Sequence, residues 1–62
     1  MKQLTAIHKG PIVTLIDPEQ LRAWEVELDT EERAAELADS LHGYQPPRNW
    51  SKPDGWAWRE IT

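Results

Sequence analysis

One stretch constrains this chain more than any other: Asp29-Thr30-Glu31-Glu32-Arg33-Ala34-Ala35-Glu36-Leu37-Ala38-Asp39-Ser40-Leu41. Ala34, Leu37, Ala38 and Leu41 recur at i, i+3, i+4 and i+7, which gathers them on one face of an α-helix. The other face carries Glu31, Glu32, Glu36 and Asp39. An apolar stripe of this kind must close against a second layer, and its two alanines let that layer come near. Asp29 is expected to cap the helix, with Glu32 three residues on as its capping-box partner. Glu31 and Glu32 also suit the positive end of the helix dipole. Gly43 fits the position just past the C-terminus, where a left-handed residue is needed.

The partner layer is read from the segments around the helix. Leu4 to His8 is apolar and β-branched enough for a short strand. Lys9-Gly10-Pro11 is turn chemistry. Ile12-Val13-Thr14-Leu15-Ile16 has almost no polar break and reads as the most buried strand. Trp24-Glu25-Val26-Glu27-Leu28-Asp29 alternates apolar and acidic residues, the period of a half-buried strand, so a strand is placed at 22–28 with Trp24, Val26 and Leu28 inward. Residues 17–21, beginning Asp17-Pro18-Glu19-Gln20, then form a turn or a single helical turn. The competing reading is one helix from Pro18 to Leu41, since Asp17 and Pro18 also make a good helix start. Tyr44 to Gly55 reads as an irregular loop, long for so small a domain. Trp56 to Ile61 reads as a closing strand. The expected fold class is α+β: a small, mostly antiparallel sheet in the order β-β-β-α-β with one amphipathic helix packed on one face.

Sixty-two residues make a single domain. The chain has no cysteine, which excludes disulfides and thiolate metal sites and suits a reducing compartment. Most of the four tryptophans, Trp24, Trp50, Trp56 and Trp58, are expected to supply the buried mass instead. Trp56 and Trp58 are assigned to the core, while Trp50, in a proline-flanked loop, is taken as the exposed anchor. No apolar stretch resembles a secretory signal or a membrane span, so the expected setting is cytoplasmic, with no membrane partner.

The net charge of −4 conceals a polarity. From Asp17 to Asp39 nine acids face only Arg22 and Arg33, whereas both flanks are weakly basic. Such a field repels nucleic acid and attracts basic partners.

Catalytic constellations are missing from the sequence. The three glycines stand alone, so no phosphate loop is present. No nucleophile elbow surrounds Ser40 or Ser51, and His8 and His42 lack a metal-binding spacing. Paired carboxylates at Glu25/Glu27 and Glu31/Glu32 fall on expected solvent faces, whereas acid–base work needs one of such a pair buried. The chain is therefore expected to be neither an enzyme nor a cofactor carrier.

Two surfaces suit binding. The acidic one joins Glu25 and Glu27 of the strand to Glu31, Glu32, Glu36 and Asp39 of the helix. Its blander interpretation is a solubilising face. The second is the loop with Tyr44, Arg48 and Trp50, residue types enriched in protein hot spots. Together they suggest a protein-binding module that docks on a larger protein with a basic surface, as a regulator or inhibitor of the sort small phage- or plasmid-borne proteins often are. An alternative is a single-stranded nucleic-acid-binding module using Trp50, Arg48, Lys52 and Arg59. A third is self-assembly as a homo-oligomer through an exposed sheet edge, either Leu4–His8 or Trp56–Ile61.

Overall fold

Strand β2, Ile12–Asp17, is the one the other elements are laid against. In the computed structural model, which describes residues 3–53 and 55–61, it pairs antiparallel with β1, Thr5–Lys9, on one side and with β3, Arg22–Glu27, on the other. A short β4, Arg59–Glu60, adds antiparallel to β3, giving the order β1-β2-β3-β4. Helix α1, Glu31–Leu41, lies between β3 and β4 in the chain. The fold is α+β, with the strand and helix order read from the sequence.

The hairpin between β1 and β2 turns at Gly10, whose φ of +60° is left-handed. The β2–β3 connection is a turn and not a helix start. One carboxylate oxygen of Asp17, Oδ1, accepts the N–H groups of Glu19 at 3.1 Å and Gln20 at 3.2 Å. This local closure competes with helix and lets the chain reverse at once into β3. The continuous helix from Pro18 is thereby replaced by turn and strand, and the alternating acids of β3 are its visible cause.

Helix α1 is capped by Thr30, a correction to the expected Asp29. Thr30 is extended (φ −139°, ψ 156°) and its Oγ1 accepts the Arg33 N–H at 3.2 Å. Leu28 must stay buried at the end of the sheet, where its N–H donates to the Pro11 carbonyl at 2.8 Å. The chain then needs both Asp29 and Thr30 to leave the sheet before helical geometry begins. Glu32 falls at the second helical position, so no capping box forms; the Asp29 carboxylate pairs instead with the Arg33 guanidinium at 3.3 Å. At the other end Gly43 takes φ +80° as expected. Its N–H donates to the Leu4 carbonyl at 2.7 Å, and the Leu4 N–H donates to Tyr44 at 2.9 Å. The helix exit is thus stitched to the start of β1.

One face of the sheet makes the core. Ala6, Val13, Leu15, Trp24 and Val26 project to it and are buried with Leu4, Leu28, Ala34 and Ala38. The helix covers β1 and β2. The loop after the helix supplies the cover for Trp24 on β3: the Trp50 ring meets Trp24 edge-on at 5.4 Å and 82°, and Trp58 packs on the same cluster. Tryptophans therefore fill the volume that two alanines leave. Trp50 is half-buried in this role, which corrects its assignment as the exposed anchor.

The exposed indole is Trp56, at 54%. With φ +40° it sits in a turn, so the closing strand contracts from the expected Trp56–Ile61 to Arg59–Glu60, extended only by the Ile61 N–H donating to Ala23 at 2.8 Å. Ile12–Ile16 also departs from expectation. Val13 and Leu15 are buried, whereas Ile12 is exposed and Thr14 and Ile16 are half-buried. A single helix covers only one face of the sheet, so the second face stays open.

Candidate binding surfaces

The six acids read as one patch fall on two sides of the molecule. Glu25 and Glu27 belong to the face of β3 that points away from the helix, opposite in parity to Trp24 and Val26. Glu25 is neutralised there by Arg59, its register partner on β4. Glu31, Glu32, Glu36 and Asp39 are exposed on α1, across the sheet from that pair. Among the described residues none of these four helix acids has a cationic partner. Glu32 and Glu36 stand one turn apart, an arrangement of like charges that costs a helix stability.

Beside the helix lies an aromatic cleft of about 340 Å³. Leu37 and Leu41 of the helix line it together with Tyr44, Pro47, Trp50, Trp56 and Trp58 from beyond the helix, and Leu4 and Leu15 are among the remaining lining. Tyr44 and Trp56 are exposed, and Arg48 projects into solvent nearby in sequence. Leu37 and Leu41 share α1 with the unpaired acids, so charge and aromatic surface come from adjacent faces of one region.

Arg22 organises the loop and was not picked out by any sequence signal beyond its parity with Trp24. Its guanidinium makes a two-pronged contact with the Glu60 carboxylate, Nε at 2.9 Å and Nη2 at 2.8 Å, and donates to the Ser51 carbonyl at 2.7 Å. It also stacks 4.8 Å from the Trp24 ring centre. The hydrogen bonds to Glu60 raise its pKa above the ordinary arginine value, against a smaller opposing effect of desolvation. The charge therefore persists at any pH at which a protein folds. Arg22 thus ties the loop, β3 and β4 together behind the cleft.

Of the residues suited to nucleic acid, Arg59 lies apart from the three on the loop, Arg48, Trp50 and Lys52. Arg59 pairs with Glu25 on the open face of the sheet, whereas Trp50 meets Trp24 edge-on on the covered face. Arg48 and Lys52 are exposed on the loop. His42 caps α1 through its backbone, and its ring Nδ1 accepts the Ala6 N–H at 3.2 Å, so it ties the helix end to β1. Among the described residues no group of three or more His, Asp or Glu side chains could hold a metal ion, and no helix is long and apolar enough to cross a membrane.

Compared with models of protein families, with curated proteins and with solved structures, the chain has no significant match.

Proposed function

We propose that this protein is a non-enzymatic binding module that docks on a basic surface of a larger protein, acting as a regulator or inhibitor of it. The observation carrying this reading is the contrast in charge satisfaction. Asp29, Glu25 and Glu60 each have an arginine, whereas Glu31, Glu32, Glu36 and Asp39 on the exposed side of α1 have none among the described residues. Their mutual repulsion works against the helix, and a basic partner would relieve it. The adjoining cleft adds what charge alone lacks. Steering by surface charge raises the encounter rate, while buried aromatics hold a complex. Trp56 is the anchor in this reading: a large indole left exposed, at a positive φ that costs energy for any residue but glycine.

The test uses variants chosen to spare the fold. Glu36→Lys and Asp39→Lys avoid the first turn of α1, where lysine would oppose the helix dipole. Trp56→Asn tolerates the same backbone conformation. Cross-linked complexes would be recovered from lysate at low and high salt with each folded variant and with the wild type. Partners captured by the wild type, released by added salt, and lost in both the charge-reversed and Trp56→Asn proteins are the expected result. Recovery of the same partners by all three proteins would overturn the proposal.

A further inference from the structure

The uncovered face of the sheet carries a pattern that fits one occupant. Register places Lys9, Ile12 and Glu27 side by side across β1, β2 and β3. The next row on that face is Ile7, Thr14, Glu25 and Arg59, and the last is Thr5, Ile16 and Ala23, with Ile61 beside Ala23. The middle strand therefore presents Ile12, Thr14 and Ile16. Ile7 is 54% exposed, and Ile12 and Ile61 are also exposed. Four isoleucines, three of them exposed and Ile16 half-buried, share this face with Thr5 and Thr14 and form a flat apolar patch, which in monomers usually marks an interaction site.

We propose that this face binds a second copy of the same chain, forming a two-fold β-sandwich with the helices outside. Charge complementarity selects the copy. Lys9 and Glu27 flank Ile12 on opposite sides in one row. A two-fold axis running parallel to β2 between two facing sheets exchanges left for right while keeping each row at its own height. It lays Ile12 on Ile12 and Ile16 on Ile16, and sets Lys9 of each copy over Glu27 of the other, twice. An isologous contact needs this kind of self-complementarity. The remaining acid in the middle row, Glu25, is already neutralised by Arg59, so Ile7 of the facing copy meets no bare charge. Sheets packed face to face lie about 10 Å apart with strands within about 30°, a geometry that isoleucine and threonine side chains fill.

The contact is small. Strands of this length, about 4.8 Å apart and rising about 3.3 Å per residue, give a face smaller than the roughly 800 Å² each partner contributes to a standard interface. The dimer is accordingly concentration-dependent. It lies on the other side of the sheet from the helix acids, so it stands or falls independently of the docking role, and it would present two acidic helices on opposite outer surfaces.

Sedimentation equilibrium and light scattering from about 1 µM to about 1 mM would test it. The full chain is expected to move from one-chain to two-chain mass across that range. On dilution, amide shifts in NMR spectra should change at Ile7, Ile12, Thr14 and Ile16 and stay constant on α1. Ile12→Lys should hold the mass at one chain while leaving the spectrum folded. Lys9→Glu and Glu27→Lys alone should each raise the dissociation constant about tenfold, and the double swap should restore it. One-chain mass at every concentration, association that survives Ile12→Lys, or a double swap that fails to rescue would each overturn the proposal.

Discussion

Single residues carry a correction and a strain. Thr30, and not Asp29, supplies the cap, so Thr30→Ala should lower unfolding stability by about 1 kcal/mol in urea titration, whereas Asp29→Ala should change it little. Equal effects of the two would contradict the assignment. Leu21 sits at φ +57° with 80% of its surface in water, a backbone conformation that suits asparagine far better. Leu21→Asn should therefore stabilise the protein by about 0.5–1 kcal/mol, which a rise in thermal midpoint would register. The Asp17 carboxylate, accepting the Glu19 and Gln20 N–H groups, closes the turn that leads into Leu21. The sequence contains no sign of this: Pro18-Glu19-Gln20-Leu21 looks equally ready for a helix.

At the scale of elements, helix and aromatic loop divide the work of covering the sheet. Trp50 packs edge-on against Trp24, and Trp56 does not join the core. Trp50→Ala should thus cost about 2–3 kcal/mol in chemical denaturation, less than the roughly 3–5 kcal/mol for a fully buried ring because Trp50 is half-buried, and Trp56→Ala should cost less than about 0.5 kcal/mol. Reversal of that order would mean that the loop packs differently. Helix α1 holds like charges one turn apart at Glu32 and Glu36. Replacing Glu36 with lysine converts repulsion into an i, i+4 attraction and should raise stability by about 0.5 kcal/mol. A variant that is more stable yet fails to capture partners would separate the two uses of this residue, since helix stability and docking then pull in opposite directions.

For the molecule as a whole, the cover over β3 comes from residues beyond the helix. Arg22, Glu60, Ser51, Trp24 and Trp50 are linked across the loop, and Tyr44 holds Leu4. A chain ending at Gly43 keeps three strands and the helix but exposes Trp24 and loses β4. It should show no cooperative unfolding transition by circular dichroism, because a domain of this size has little buried surface to spare. A sharp transition in the shortened chain would show that helix and three strands suffice.

The fold was legible because its signals are local. The 3.6-residue period of Ala34, Leu37, Ala38 and Leu41 and the two-residue period of Trp24, Val26 and Leu28 depend only on backbone geometry, and each survives whatever it packs against. The chain order of strands and helix, and the stop at Gly43, follow from the same short-range rules. What lay out of reach were the long-range choices. Ile12 to Ile16 reads as buried on both faces, yet whether a second layer exists is decided by the number of helices available, and there is one. Which tryptophan goes in depends on where the loop crosses β3. Which acid finds an arginine depends on strand register, so Glu25 is paired and Glu36 is not. Periodicity is written in neighbouring residues, whereas the open sheet face, the half-buried Trp50 and the helix acids left without a cation among the described residues depend on residues far apart in the chain, which only the assembled structure brings together.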